Sequence, residues 1–122
     1  MSEHTFPAPA GLHLAVVAVD CADPPALAGF WALLLGGTVE PDPDGDATVL
    51  LPDGRPLDFL RVPEGKTVKN RLHFDLRCTS FDEAVEAALR LGATRADDGY
   101  DGGSWQVLRD PEGNEFCILR SS

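Results

Sequence analysis

Pro52-Asp53-Gly54 ahead of Leu57-Asp58-Phe59-Leu60 recurs 59 positions later as Pro111-Glu112-Gly113 ahead of Phe116-Cys117-Ile118-Leu119. Leu35-Gly36-Gly37-Thr38 is matched by Leu91-Gly92-Ala93-Thr94 at a slightly shorter offset. Self-similarity of this kind makes each half of a chain one supersecondary unit that cannot bury its apolar face alone. The 122 residues therefore read as two half-domains sharing one core. A chain of this length buries roughly two-thirds of its unfolded surface.

Each half spells strand, helix and three strands. Residues 12–19 are an apolar run that reads as a buried strand. Asp23 before Pro24-Pro25 is a helix N-cap with proline at the first helical position. Leu27, Phe30, Trp31, Leu34 and Leu35 fall on one helical face, and Gly36-Gly37 ends it. Strands at 38–40, 47–51 and 57–62 are separated by Pro/Gly/Asp turns. The polar stretch 63–70 is the connection. The second half begins with an alternating strand at 71–78, followed by a Ser80–Glu83 capping box and a helix carrying Phe81, Val85, Ala88 and Leu89. After Gly92 come a short strand at 94–96, a Gly/Asp loop at 97–103 around Tyr100, and strands at 104–109 and 115–119. The expected organisation is a disordered lead-in over 1–11 and one domain over 12–122, with modules at about 12–62 and 71–119.

Twenty acidic against ten basic residues leave a formal charge of −10, the wrong sign for a nucleic-acid binder. No apolar run is long enough to span a membrane, and residues 1–9 lack the regions of a signal peptide. Cys21, Cys78 and Cys117 form no CxxC pair, which points to a reducing cytoplasm. Arg61, Lys66, Lys69 and Arg71 gather near the connection, as a solvated linker or as a basic spot for an anion or an acidic partner.

The strand at 71–78 carries the most chemistry. Leu72, Phe74, Leu76 and Cys78 alternate to one face, and Arg71, His73, Asp75 and Arg77 to the other. A histidine beside a carboxylate is an acid–base pair in waiting, because imidazole titrates near neutral pH. A solvated sheet face is the competing reading, strongest for Arg71 and Arg77 at the strand ends. Leu14, Val16 and Ala18, with Leu60 and Leu119, would make the same face partly greasy, as small-molecule sites are. Trp31 belongs to the core stripe. Trp105 either closes over a ligand or packs in the core.

The paired βαβββ order resembles the vicinal oxygen chelate superfamily of glyoxalases, bleomycin-resistance proteins and extradiol dioxygenases. The residues carrying the resemblance are Val19-Asp20-Cys21-Ala22-Asp23-Pro24 with Phe30-Trp31 and Leu34-Leu35-Gly36, His73-Phe74-Asp75-Leu76-Arg77, and Asp110-Pro111-Glu112-Gly113-Asn114-Glu115-Phe116. The variant is most similar to the actinobacterial glyoxalase-like subgroup. The resemblance implies an α+β fold in which two tandem βαβββ modules form a curved mixed sheet around a cavity. It also implies a homodimer.

Metal-dependent members take ligands from the first and fourth strands of each module, which carries over to Leu14, Asp58, His73 and Cys117. Leu14 has no donor atom, and neighbouring His13 points to the opposite face of a strand. The expectation is therefore a protein that binds a small organic molecule, either as a resistance-type binder or as a metal-independent enzyme using His73 and Asp75. Its ligand contacts would come from Leu14, Val16, Asp58, Leu60, Arg71, Arg77, Trp105 and Cys117. Two alternatives stay open. One is a metal-dependent lyase, isomerase or dioxygenase holding Zn, Fe, Mn or Ni through Asp58 and His73. The other is a non-catalytic regulatory or partner-binding domain.

Overall fold

The computed structural model describes residues 3–96 and 105–120. The loop around Tyr100 lies outside them. After a 3-10 turn at Pro9–Gly11, the first module runs β1 (Val17–Cys21), α1 (Pro24–Leu35), β2 (Thr38–Pro41), β3 (Ala47–Leu50) and β4 (Pro56–Arg61). The second runs β5 (Phe74–Leu76), α2 (Phe81–Leu91), β6 (Thr94–Arg95), β7 (Trp105–Arg109) and β8 (Glu115–Leu119). Each module forms a four-stranded mixed sheet, ordered β1-β4-β3-β2 and β5-β8-β7-β6. The module's first strand is parallel to its fourth, and the remaining pairs are antiparallel. This is the tandem βαβββ architecture expected from the sequence.

Local chemistry accounts for the elements. Asp23 caps α1 by accepting the Ala26 N–H at 3.2 Å. Gly36 (φ 75°) and Gly92 (φ 120°) end the helices in the left-handed conformation that glycine adopts without Cβ strain. The capping box expected at α2 is not formed, since Ser80 makes no side-chain cap bond. Asp82 and Glu83 in the first turn instead complement the helix N-terminus electrostatically.

Both first strands are shorter than the apolar run at 12–19 and the alternation at 71–78 suggest. β1 begins at Val17, not at residue 12, because its partner β4 begins at Pro56. Pro56 lacks an N–H and follows the turn closed by Leu51 N–H to Arg55 O, so residues 12–16 find no ladder. β5 is three residues long because Asn70 is drawn to Glu115, donating its backbone N–H to Oε1 (2.8 Å) and its side-chain amide to the carbonyl oxygen (2.9 Å). Phe74, Leu76 and Cys78 pack on the core as expected, whereas Leu72, left outside the strand, is 85% exposed.

One contiguous core joins the modules. Trp31 stands edge-on to Phe74 and Phe116, with ring centroids 5.3 and 4.9 Å apart, and Phe30 meets Phe116 at 6.2 Å. Polar contacts reinforce this seam. Glu112 in the last turn accepts the N–H groups of Ala22 (2.7 Å) and Asp23 (2.8 Å), just before α1. Asp110 is buried and accepts the Trp31 indole N–H at 3.1 Å.

Ladder positions revise one detail of the repeat. Val17 pairs with Leu57 and Phe74 with Phe116, so β1 and β5 correspond at an offset of 57 residues, while β4 and β8 keep 59. The counterpart of His73 is Val16, not Leu14. The shift is even, so the assignment of faces survives it.

Candidate functional site

His73, immediately before β5, and Asp75 within it share one face, and His73 Nε2 lies 3.0 Å from Asp75 Oδ1. Both are about half exposed. Register places Cys117 of β8 directly opposite Asp75. The ligand atoms of His73, Asp75 and Cys117 all lie within 4.8 Å of one another, while Cys117 itself is buried. Three chemically capable groups from sequence positions 44 residues apart thus converge on one sheet.

Two clefts run along the seam between edge strands β1 and β5, and both include Val17, His73 and Phe74. The smaller, about 230 Å³, is bounded by Asp20, Trp31, Arg71, Asp110 and Glu115. The larger, about 780 Å³, is walled by Leu14, Val16, Leu35, Leu51 and Leu57, with Asp75 and Arg77 on its β5 side. At the offsets of the repeat the two clefts are counterparts. Residues 17–20 of one correspond to 74–77 of the other, and Asp110 and Glu115 to Leu51 and Pro56.

Divergence between the repeats explains the difference in size. At the closed end Trp31 fills space and donates to Asp110. Counted from the helix N-caps Asp23 and Ser80, its counterpart on α2 is Ala88, and the counterpart of Asp110 is Leu51. Glu112 holds the segment before α1, whereas its counterpart Asp53 turns back to accept from Arg55 N–H (3.0 Å) and Nε (2.8 Å). Without that polar latch the first-module end of the seam stays open.

Placement of the expected residues is uneven. Leu14, Val16, His73, Asp75 and Arg77 meet at the open cleft, and Arg71 borders the closed one. Leu60 is half-buried on β4 and lines neither; Trp105 begins β7 opposite Leu119. Asp58 lies on the other sheet, accepts the Thr48 hydroxyl at 2.7 Å, and is not among the three converging donors. His13 contacts the Gly11 carbonyl and is not among them either. Leu35, Leu51 and Arg55 were not singled out as site residues from the sequence. Comparing Leu51 with Asp110 and Ala88 with Trp31 across the repeat was the available signal.

The electrostatics differ at the two ends. Glu115 is buried beside Lys66 Nζ at 3.2 Å and Arg109 Nε at 3.6 Å. Burial works to raise its carboxyl, but the Asn70 N–H and the Lys66 ammonium outweigh it and hold the group below its ordinary range. Cys21, behind the Asp110–Glu112 turn, is pushed up to about 12 by burial first and then by the carboxylates of Glu112, Asp110, Asp20 and Asp23. It is a packing residue, not a nucleophile.

A family model describing the glyoxalase-like domain matches residues 16–119. The chain belongs to the glyoxalase-like family. A fosfomycin resistance protein, FosX from Listeria monocytogenes, solved with Mn(II) and 1S,2S-dihydroxypropylphosphonic acid, shares the fold with a TM-score of 0.71 at 13% identity over 90% of both chains. A glyoxalase/bleomycin resistance protein/dioxygenase family enzyme from Burkholderia phytofirmans superposes with a TM-score of 0.67 at 19% identity, over 85% of this chain and 94% of that one. The oxidase ChaP-H2 follows with a TM-score of 0.61 at 21% identity, over 92% and 95%. No curated protein sequence matches the chain. Among the described residues of this glyoxalase-like protein, no helix is long and apolar enough to cross a membrane.

Proposed function

We propose that this glyoxalase-like protein binds a small organic molecule in the open seam cleft and acts on it by acid–base chemistry through His73 and Asp75. The observation carrying this reading is the 3.0 Å contact between His73 Nε2 and Asp75 Oδ1 at the edge of an apolar cleft of about 780 Å³. Asp75 orients the imidazole and favours the proton on Nε2, which leaves Nδ1 as the acceptor for a substrate proton. Apolar walls with a few convergent polar groups are the usual form of such sites. The protein is read as a cytoplasmic member of the actinobacterial glyoxalase-like subgroup, working as a homodimer. The exposed apolar Leu12 and Leu72 support self-association.

A thermal-shift screen against methylglyoxal adducts, aromatic antibiotics and acyl-CoA compounds tests the proposal. A stabilising class is expected, and its shift should drop by at least half in His73→Ala and Asp75→Asn. Stabilisation that persists unchanged in both variants contradicts it.

A second reading is favoured by the convergence of His73, Asp75 and Cys117 within 4.8 Å. The family implies a metal. The cross-module ligand set is incomplete here, but this nitrogen, oxygen and sulfur set fits zinc or ferrous iron and suits magnesium poorly. These three residues would hold the ion, which when bound supplies Lewis-acid polarisation of a substrate oxygen. Metal analysis of protein purified without chelator discriminates the readings. Stoichiometric metal that is lost in His73→Ala favours this one.

A further inference from the structure

The two ends of the seam differ in charge as well as in volume. At the closed end the β1 position is Asp20, the last turn contributes Asp110 and the start of β8 contributes Glu115. At the open end the corresponding positions are Arg77, Leu51 and Pro56. The other charged groups there are already matched inside the protein: Arg55 is held by Asp53 at 2.8 Å and His73 by Asp75 at 3.0 Å. Among the described residues, the Arg77 side chain makes no ion pair, although it lines the cleft. An unmatched guanidinium against apolar walls is suited to one kind of ligand. Its planar fork pairs with an oxyanion in bidentate fashion, and the walls take the hydrocarbon.

We infer that the open cleft takes a small apolar molecule bearing one oxyanion, a carboxylate or a phosphate ester, with Arg77 holding the anionic group. This deepens the reading of the same site given above and rests on it for the location. Arg77, just past the end of β5, follows Asp75 by two residues, about 7 Å of extended chain, and both line the cleft. The anionic end therefore sits apart from the His73–Asp75 pair, and the hydrocarbon spans the distance between them. Leu14, Val16 and Leu57 line that span.

Isothermal titration of the full chain with matched six- and ten-carbon carboxylates, alkyl phosphates and neutral amides tests the inference. At least one anion should bind tenfold or more tightly than its amide. Arg77→Gln should bring the anions to the level of the amide while leaving amide affinity unchanged, and Arg77→Lys should restore part of the preference. The carboxylate and phosphate arms decide which oxyanion is preferred. An anion-to-amide ratio near one, a ratio unaltered in Arg77→Gln, or no binding by any compound overturns the proposal. His73→Ala separates it from the acid–base reading. An anion preference kept in that variant, with no His73-dependent chemistry on any bound compound, sustains the ligand class and removes the catalytic role.

Discussion

Trp31 donates its indole N–H to Asp110 at 3.1 Å, and the equivalent pair in the other half of the repeat is Ala88 and Leu51. One end of the seam is thus sealed by a hydrogen-bonded aromatic that reaches from the first module to the second, and the other end is left as an open cleft. The helix that lacks the indole is the one whose facing turn lacks the acid.

The closed end is expected to be a main support of the fold. Asp110 is buried and accepts from Trp31, from the Glu112 and Asn114 N–H groups, and from the Asn114 amide. Asp110→Leu would leave these donors unsatisfied and should cost about 3 kcal/mol or more. Urea unfolding measures it, and a loss under about 1 kcal/mol would contradict the assigned role.

Gly37 is expected to tolerate no side chain. A Cβ there would lie 2.7 Å from the Leu50 carbonyl oxygen, a backbone atom that cannot turn aside, and 3.0 Å from the Val49 side chain at Cγ1. Gly37→Ala should therefore lower stability by about 1–3 kcal/mol, the range for overpacking. Thermal unfolding at matched concentration checks it.

Acid sensitivity should trace to Glu115. Its carboxyl is depressed in the folded state, so its contribution is complete above the unfolded pKa and lost as pH falls through the folded one. Wild-type stability should therefore fall on acidification below the ordinary glutamate range. The difference from Glu115→Gln should be largest near neutrality and shrink through that window. Denaturation series from pH 7 to about 3 test this, and a difference independent of pH would refute it.

Much of the fold was legible in the sequence because the repeat constrains it twice. The helices, the Asp23 cap, the turn at 110–114 and β8 follow from capping, periodicity and turn chemistry read locally. Residues 12–16 misled because an apolar run reads as strand whether or not a partner exists, and Pro56 removed the partner. Leu72 misled similarly, since the contact of Asn70 with Glu115 ends the ladder before reaching it. The pairing of His73 with Asp75 was readable from strand alternation. The open cleft was not, because it arises where the contacts of Trp31 with Asp110 and of Ala22 and Asp23 with Glu112 have no counterpart across the repeat.

Cys21 should resist alkylation. Burial and four neighbouring carboxylates push its thiol up to about 12, so almost no thiolate exists at pH 8. Iodoacetamide treatment of native protein followed by peptide mapping should leave Cys21 unmodified until the chain is unfolded. Modification at the unfolded rate would place it at an accessible surface instead.

The most direct test of the proposed site is backbone chemical-shift mapping of whichever small molecule from the thermal-shift screen binds best. Perturbations are predicted at residues 14–17, 51–57 and 73–77, the walls of the open cleft. Perturbations centred on Trp31, Asp110 and Glu115 with those segments silent, or none at saturating ligand, would contradict the account.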